Sequence, residues 1–151
     1  MMPPPPTPPA DAAQYEKDIF YSFEDEAYVD DATGRPYTGK AVGVSPAGQV
    51  VALDDLVGGV LSGTSLNWYE SGAPRQQGGY LRGAASGTVR EWYPNGQLAR
   101  EAQYEFGILL RETRWDESGE VTRIFALAAD DPQHARLEVL RAKRRPAPPP
   151  A

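Results

Sequence analysis

Short runs of β-branched, aromatic and aliphatic residues alternate with polar residues through the middle of the chain, and turn-forming residues interrupt them at regular intervals. In the window 87–110, residues 88–93 show the alternation typical of a half-buried strand. Pro94-Asn95-Gly96 then has turn chemistry, because Asn and Gly tolerate positive φ, and residues 97–104 have the pattern of a second strand. This pattern predicts a β-hairpin, which Glu105-Phe106-Gly107 connects to the next one.

The hairpin pattern repeats about every 24 residues. Ten of the 15 glycines fall into three series with this spacing, and each of the three tryptophans stands four residues before a series glycine. The windows 63–86 and 87–110 share seven of 24 residues. A fixed period in this range is typical of a repeat array. The positions that define the repeat are Gly39, Gly48, Gly59, Gly63, Trp68, Gly72, Gly83, Gly87, Trp92, Gly96, Gly107, Trp115 and Gly119.

A lone hairpin is marginally stable in water, so neighbouring hairpins are expected to pair edge to edge. The sequence therefore predicts a mainly β fold, an extended antiparallel meander of tandem β-hairpin repeats of about 24 residues each, with a short C-terminal helix. Four repeats occupy residues 37–127. The outer two, at about 37–62 and 111–127, are degenerate, as capping repeats usually are.

The segments that flank the repeats differ from them in composition. Ten of the 15 prolines lie near the two ends, which predicts disordered Pro-rich tails over residues 1–13 and 146–151. Residues 14–36 are expected to form an acidic N-terminal cap, in which Tyr28-Val29 pairs with the first repeat. Asp131-Pro132 resembles a helix N-cap followed by Pro at the first helical position, so we expect the segment 128–145 to contain a helix.

Charge is distributed unevenly along the chain. The 151 residues carry a formal net charge of −6, and residues 11–31 alone hold eight acidic side chains against Lys17. An acidic balance argues against direct nucleic-acid binding, which requires a basic face. No apolar run reaches the length of a membrane span, and the one basic cluster, at 141–145, makes membrane-surface binding the weakest alternative. The start of the chain lacks the pattern of a signal peptide, so we expect a cytoplasmic location.

No arrangement of residues in the sequence predicts catalysis. The chain has no cysteine, and His134 is its only histidine, which argues against thiolate zinc sites, cysteine nucleophiles and His-rich metal sites. Acidic pairs such as Asp54-Asp55 and Asp116-Glu117 lack the spacing of a calcium loop, and the glycine-rich stretches lack phosphate-loop patterns. We therefore expect a protein that is not an enzyme and that uses no cofactor and no metal.

Two segments resemble a known repeat. The residues Glu91-Trp92-Tyr93-Pro94-Asn95-Gly96-Gln97-Leu98 and the following Tyr104-Glu105-Phe106-Gly107 resemble the MORN-variant repeat, and Pro36-Tyr37-Thr38-Gly39-Lys40 resembles the segment that commonly begins such arrays. The chain is similar to the YwqK-type bacterial antitoxin family over residues 36–125. That resemblance implies a protein that binds and neutralises a partner toxin. The chain departs from the pattern at Val44, where Trp is expected, and at Asp116, where Tyr is expected.

Two hypotheses for function follow. The first is an antitoxin or immunity-type inhibitor of a protein toxin encoded by a neighbouring gene, because an acidic segment is attracted to the basic cleft of a toxin that acts on nucleic acid. The alternative is a general protein-interaction or scaffolding module, with the Pro-rich tails as additional docking sites. Period-2 alternation places the tryptophans on one face of the sheet, which we expect to be the core, and the tyrosines that follow them on the other. The predicted partner-binding residues are Glu24, Asp25, Glu26, Asp30, Asp31, Tyr69 and Tyr93.

Overall fold

The computed structural model describes residues 2–144, which form a long sheet, a small second sheet and one helix. The strands are β1 (Ala13–Gln14), β2 (Ile19–Ser22), β3 (Ala27–Asp30), β4 (Gly39–Val44), β5 (Val50–Val57), β6 (Val60–Trp68), β7 (Pro74–Leu81), β8 (Ala84–Ala85), β9 (Gly87–Trp92), β10 (Leu98–Glu105), β11 (Ile108–Trp115) and β12 (Val121–Ala126), and the helix is α1 (Pro132–Arg144). The long sheet has the order β1-β4-β5-β6-β7-β9-β10-β11-β12, with β8 paired to β7. Its pairs are antiparallel except β1–β4. The prediction of a mainly β meander of sequential hairpins with a C-terminal helix is confirmed.

One turn geometry recurs at four places along the sheet and accounts for one of the three glycine series. In the turn between β9 and β10, the Tyr93 N–H donates to the Gln97 carbonyl and the Gly96 N–H donates back to the Tyr93 carbonyl, each at 2.9 Å. The same pair of bonds closes the turns after β4, β6 and β11. The glycine of each turn has φ between +84° and +92°, a conformation that a residue without Cβ adopts at little cost. This glycine series repeats because the turn repeats, and the turn is a three-residue loop that ends in a left-handed glycine. The four glycines are Gly48, Gly72, Gly96 and Gly119.

The N-terminal segment covers one face of the sheet, unlike the disordered tail predicted for residues 1–13. The indole Nε1 of Trp68 donates a hydrogen bond to the Pro3 carbonyl at 2.9 Å. Further along, β1 pairs with β4 and forms the edge of the sheet. The segment is held by these long-range contacts, which composition does not reveal. We call the buried group on this face the first cluster; it consists of Met2, Val42, Val50 and Trp68.

The opposite face of β4 is covered by the hairpin β2–β3. Ala41 and Val42 are adjacent in β4 and both are almost completely buried, so this strand is covered on both faces. The hairpin approaches the sheet so closely that a Cβ at Gly59 would lie 2.3 Å from the Tyr28 carbonyl oxygen. Glycine is therefore required at this position as well as in the turns. The buried group on this face, the second cluster, consists of Ala13, Ile19, Ala41 and Leu56.

The N-terminal cap differs from its predicted pairing. Its strand β3 pairs with β2 and not with a strand of the first repeat. The Tyr28 backbone still contacts the repeat, since its N–H donates to the Gly59 carbonyl and its carbonyl accepts from the Tyr37 N–H, both at 2.9 Å. The cap is thus a separate hairpin attached to the sheet by backbone hydrogen bonds.

The helix α1 packs against the hairpin turns at the opposite end of the strands from the tryptophans. Leu137 is its buried residue, and Arg141 forms an ion pair with Glu105 of β10. The Arg144 guanidinium lies 5.8 Å from the centre of the Phe106 ring. These contacts attach the helix to the third repeat. The predicted tail at 146–151 and the last residue of the predicted segment 128–145 lie outside the described residues.

Candidate protein-interaction surface

The turn between β2 and β3, which we call the acidic tip (residues 23–26), carries an exposed aromatic ring beside three exposed carboxylates. Phe23 is 88% exposed. The Ser22 hydroxyl donates to the Asp25 carboxylate at 2.8 Å, and the Asp25 N–H donates to the Ser22 oxygen at 3.2 Å. These two bonds fix the turn. The tip therefore presents an apolar ring and the charges of Glu24, Asp25 and Glu26 in one arrangement.

Aromatic side chains support the acidic tip from behind. The Tyr21 ring packs edge-on against Phe23, with ring centres 5.1 Å apart, and against Tyr28, with centres 5.3 Å apart. Edge-to-face pairs of this kind stabilise one another beyond their buried area. Phe23 therefore projects from an ordered aromatic group, which limits the conformational entropy that it would lose on contact with a partner.

The other two predicted acidic residues lie away from the tip. Asp30 and Asp31 are at the opposite end of the hairpin, about 13 Å along a four-residue strand. One oxygen of the Asp30 carboxylate accepts hydrogen bonds from the N–H groups of Ala32 and Thr33, at 2.9 and 3.0 Å. Asp30 therefore stabilises its own turn. The structure does not bring the five predicted acidic residues together into one site.

The two predicted tyrosines connect neighbouring hairpins. The Tyr69 hydroxyl donates to the Trp92 carbonyl at 2.7 Å, and the Tyr93 hydroxyl donates to the Trp115 carbonyl at 2.9 Å. Each tyrosine thus bonds to the tryptophan position of the next repeat. Asp116, which stands where a further Tyr is expected, has a different role: its carboxylate accepts the N–H groups of its own turn. Both tyrosine hydroxyls therefore donate hydrogen bonds to the backbone of the neighbouring hairpin.

Removing the Tyr93 hydroxyl is expected to weaken this connection. In Tyr93→Phe the ring remains and the Trp115 carbonyl loses its donor, so the free energy of unfolding should fall by about 1 kcal/mol. Urea denaturation measures the change. The matched control is Tyr21→Phe, because the Tyr21 hydroxyl has no hydrogen bond within residues 2–144. A neutral Tyr93→Phe that nevertheless lost partner binding would assign the hydroxyl to the interface instead.

A half-buried ionic cluster lies on the same face of the sheet as these tyrosines. Arg100 donates to Glu91 at 3.2 Å, to Glu112 at 3.3 Å and to the Tyr104 hydroxyl at 2.5 Å, and Arg114 also binds Glu112. The Glu112 side chain is only 3% exposed. Burial raises the pKa of Glu112, but the Arg114 hydrogen bond and the charges of both arginines outweigh burial, and the net pKa is below its ordinary value. The carboxylate is therefore charged and paired at neutral pH.

This ionic cluster lines an open groove of about 640 Å³ between the ends of β6 and β12. Tyr69 and Tyr93 border the groove, and the Arg75 guanidinium lies 5.7 Å from the centre of the Tyr69 ring. These arginines are not among the residues that the sequence predicts for partner binding. The signal that was available is cross-strand register, because Arg100 stands opposite Glu91 on β9 and, on β11, opposite a residue two positions from Glu112.

Comparison with known proteins identifies one repeat unit. Residues 85–105 match the model of the MORN repeat variant, a kind of repeat that generally takes part in protein interaction. No curated protein and no solved structure matches the chain. Within residues 2–144, no group of three acidic or histidine side chains is placed to hold a metal ion. The one helix of the described chain is too short and too polar to span a membrane.

Proposed function

We propose that this chain is a non-catalytic interaction module that binds a protein partner through the acidic tip of its N-terminal hairpin. The main support for the proposal is Phe23, a large apolar ring that is 88% exposed and is followed in the same turn by three exposed acidic residues. Exposed aromatic residues at the centre of a polar rim are the usual anchors of protein interfaces. The match to a MORN repeat variant supports the same class of function.

The repeat sheet serves this function as a rigid support. The second cluster and the Tyr28 backbone bonds hold the hairpin against β4 and β5, so the tip does not have to be ordered when the partner binds. Absence of catalysis is part of the proposal. The shortest contact of a hydroxyl with a carboxylate, from Ser65 to Asp54 at 2.6 Å, involves a buried serine, which supports a structural role for that pair.

A more specific form of the proposal is an antitoxin that masks the basic cleft of a toxin. The charge of the acidic tip favours this partner, because carboxylates accelerate association with a basic surface and fix its orientation. Co-expression with the product of the neighbouring gene tests it. The expected result is a stable complex that abolishes toxicity, and a neighbour that is neither toxic nor bound would contradict it. The cytoplasmic location stays a prediction.

Truncating Phe23 is expected to weaken partner binding at least tenfold. Phe23→Ala removes the exposed ring without touching either buried cluster, and interface anchors of this type commonly contribute about 2 kcal/mol or more. Affinity for the identified partner, measured by calorimetry, checks the change. Ile124→Ala is the matched control, because Ile124 is 76% exposed but lies on β12 at the far end of the sheet. Equal losses in the two variants would contradict a contact through the tip.

A further inference from the structure

A pocket of about 450 Å³ lies between the hairpin β2–β3 and the sheet. Tyr15, Tyr21 and Tyr28 line one part of it, and Leu56 and Leu61 line another. The Tyr15 and Tyr28 ring centres are 4.9 Å apart and their planes meet at 64°. Together with the Tyr21–Tyr28 pair, this gives the pocket a wall of three aromatic rings. Tyrosine rings attract cations through their electron-rich faces.

One half-buried carboxylate in this pocket has no cation partner among the described residues. Asp54 accepts hydrogen bonds from the Ser65 hydroxyl at 2.6 Å and from the Tyr15 hydroxyl at 2.8 Å, and it forms no ion pair within the described part of the chain. Burial raises the pKa of Asp54 more than these two bonds lower it. A buried carboxylate that has only neutral partners is destabilised relative to one with a cation.

The adjacent residue shows what Asp54 lacks. Asp55 points to the other face of β5 and binds the Lys40 ammonium at 2.8 Å. Its pKa is below the ordinary value because the Lys40 and Thr64 hydrogen bonds outweigh the effect of burial. The two neighbouring carboxylates thus differ in whether a cation is paired with them. The exposed face supplies its own lysine, and the pocket face does not.

The surroundings of the pocket are acidic. Glu26 is one of its lining residues. The pKa of Tyr28 is raised first by burial and then by the charges of Glu16 and Asp54. Lys17 is the one basic residue among residues 11–31. A low-dielectric pocket with charges of one sign around it concentrates ions of the opposite sign.

We propose that this pocket receives the ammonium end of a lysine side chain from the protein partner, a step that rests on the proposed function. The ammonium binds the Asp54 carboxylate and lies against the tyrosine rings, while the four-carbon stem packs on the leucines. Lysine fits better than arginine, because each Asp54 oxygen already accepts one bond. A compact ammonium needs one of the two remaining lone pairs, whereas a bidentate guanidinium needs both of them, in one plane with its two N–H groups.

Titration with the peptide acetyl-Gly-Lys-Gly-amide, followed by NMR of the tyrosine rings, tests the proposal. The lysine peptide should cause saturable shifts at Tyr15, Tyr21 and Tyr28, and the same peptide with an Nζ-acetylated lysine should cause none. Equal shifts from the acetylated peptide would overturn a cation site. Equal affinity for acetyl-Gly-Arg-Gly-amide would overturn the choice of lysine.

Variants separate the pocket from general electrostatic attraction. Asp54→Asn should lower the affinity for the lysine peptide about tenfold or more. Glu24→Gln removes the same charge from the exposed tip and should change this affinity less than about twofold. Equal losses would overturn the proposal. If Asp54→Asn does not fold, Tyr21→Ala decides, since Tyr21 is 44% exposed and lies outside both buried clusters. Unchanged affinity in that variant would contradict an aromatic wall.

The two sets of measurements distinguish a failure of the pocket proposal from a failure of the proposed function. A partner that binds through Phe23 while the lysine peptide fails to bind removes the pocket and leaves the interaction module in place. If the lysine peptide binds but Phe23→Ala leaves partner affinity unchanged, the pocket remains as a cation site and the acidic tip is removed as the contact with the partner.

Discussion

Replacing Trp68 with alanine is expected to lower the free energy of unfolding by about 3–5 kcal/mol. The indole is 2% exposed and packs in the first cluster between the sheet and the N-terminal segment. The substitution removes a large apolar surface, leaves a cavity and deprives the Pro3 carbonyl of its donor. Since domains of this size are stable by about 5–15 kcal/mol, the loss is a large part of the total. Urea denaturation followed by far-ultraviolet circular dichroism measures it.

Trp115→Ala is the matched control for this prediction. Trp115 has the same place in its repeat but lies outside both buried clusters and is only partly buried. We expect Trp115→Ala to lower the free energy of unfolding by about half as much as Trp68→Ala or less, in proportion to the apolar area that each side chain buries. Equal costs would mean that the tryptophans stabilise the sheet as one ladder and that the N-terminal segment adds nothing at Trp68.

Replacing Glu112 with alanine is expected to cost about 3 kcal/mol or more. The carboxylate is buried between Arg100 and Arg114, and removing it leaves the 14% exposed Arg100 side chain with a single acidic partner, Glu91. Within residues 2–144 the buried Arg100 Nε atom has no hydrogen-bond partner, so loss of Glu112 leaves a further part of the guanidinium unpaired. Thermal and urea denaturation at pH 7 measure the change.

The neighbouring pair Arg90–Glu101 provides the control. Its side chains are 43% and 39% exposed, so Glu101→Ala should change stability by less than about 1 kcal/mol. The effect at Glu112 also depends on pH. Because the folded pKa of Glu112 is lowered, its contribution is fully present above the unfolded pKa and is lost as pH falls through the folded value. The difference between the native protein and Glu112→Ala should therefore shrink below about pH 4.3. A constant difference would contradict the ionic role.

The β-meander could be predicted from the sequence because the features that define the meander are local. Gly96 and its equivalents need positive φ in a turn that a few consecutive residues build, and the same requirement returns once in each repeat. Asp131-Pro132 similarly predicts the start of the short helix, where the Asp131 carboxylate accepts a hydrogen bond from the Gln133 N–H at 2.8 Å. Such features leave a pattern in the chain that can be read without tertiary structure.

The remaining features depend on contacts between distant residues. Pro3 and Trp68 are 65 residues apart, and Tyr15 and Asp54 are 39 apart. Nothing in the Pro-rich composition distinguishes a fully solvated tail from one in which Met2 is buried against the sheet. Alternation predicts on which face of the sheet the tyrosines lie. It does not show that the Tyr93 hydroxyl donates to the Trp115 carbonyl of the next repeat. Only three of the predicted acidic residues share the acidic tip, because the short hairpin separates the two groups of carboxylates.

Amide hydrogen exchange on the complex tests whether the partner binds at the acidic tip. Binding there should protect residues 19–30, which include the acidic tip and both strands of its hairpin, and should leave exchange in β10, β11 and β12 unchanged. Protection confined to the groove lined by Arg100 and Arg114, with exchange at residues 19–30 unaltered, would contradict it.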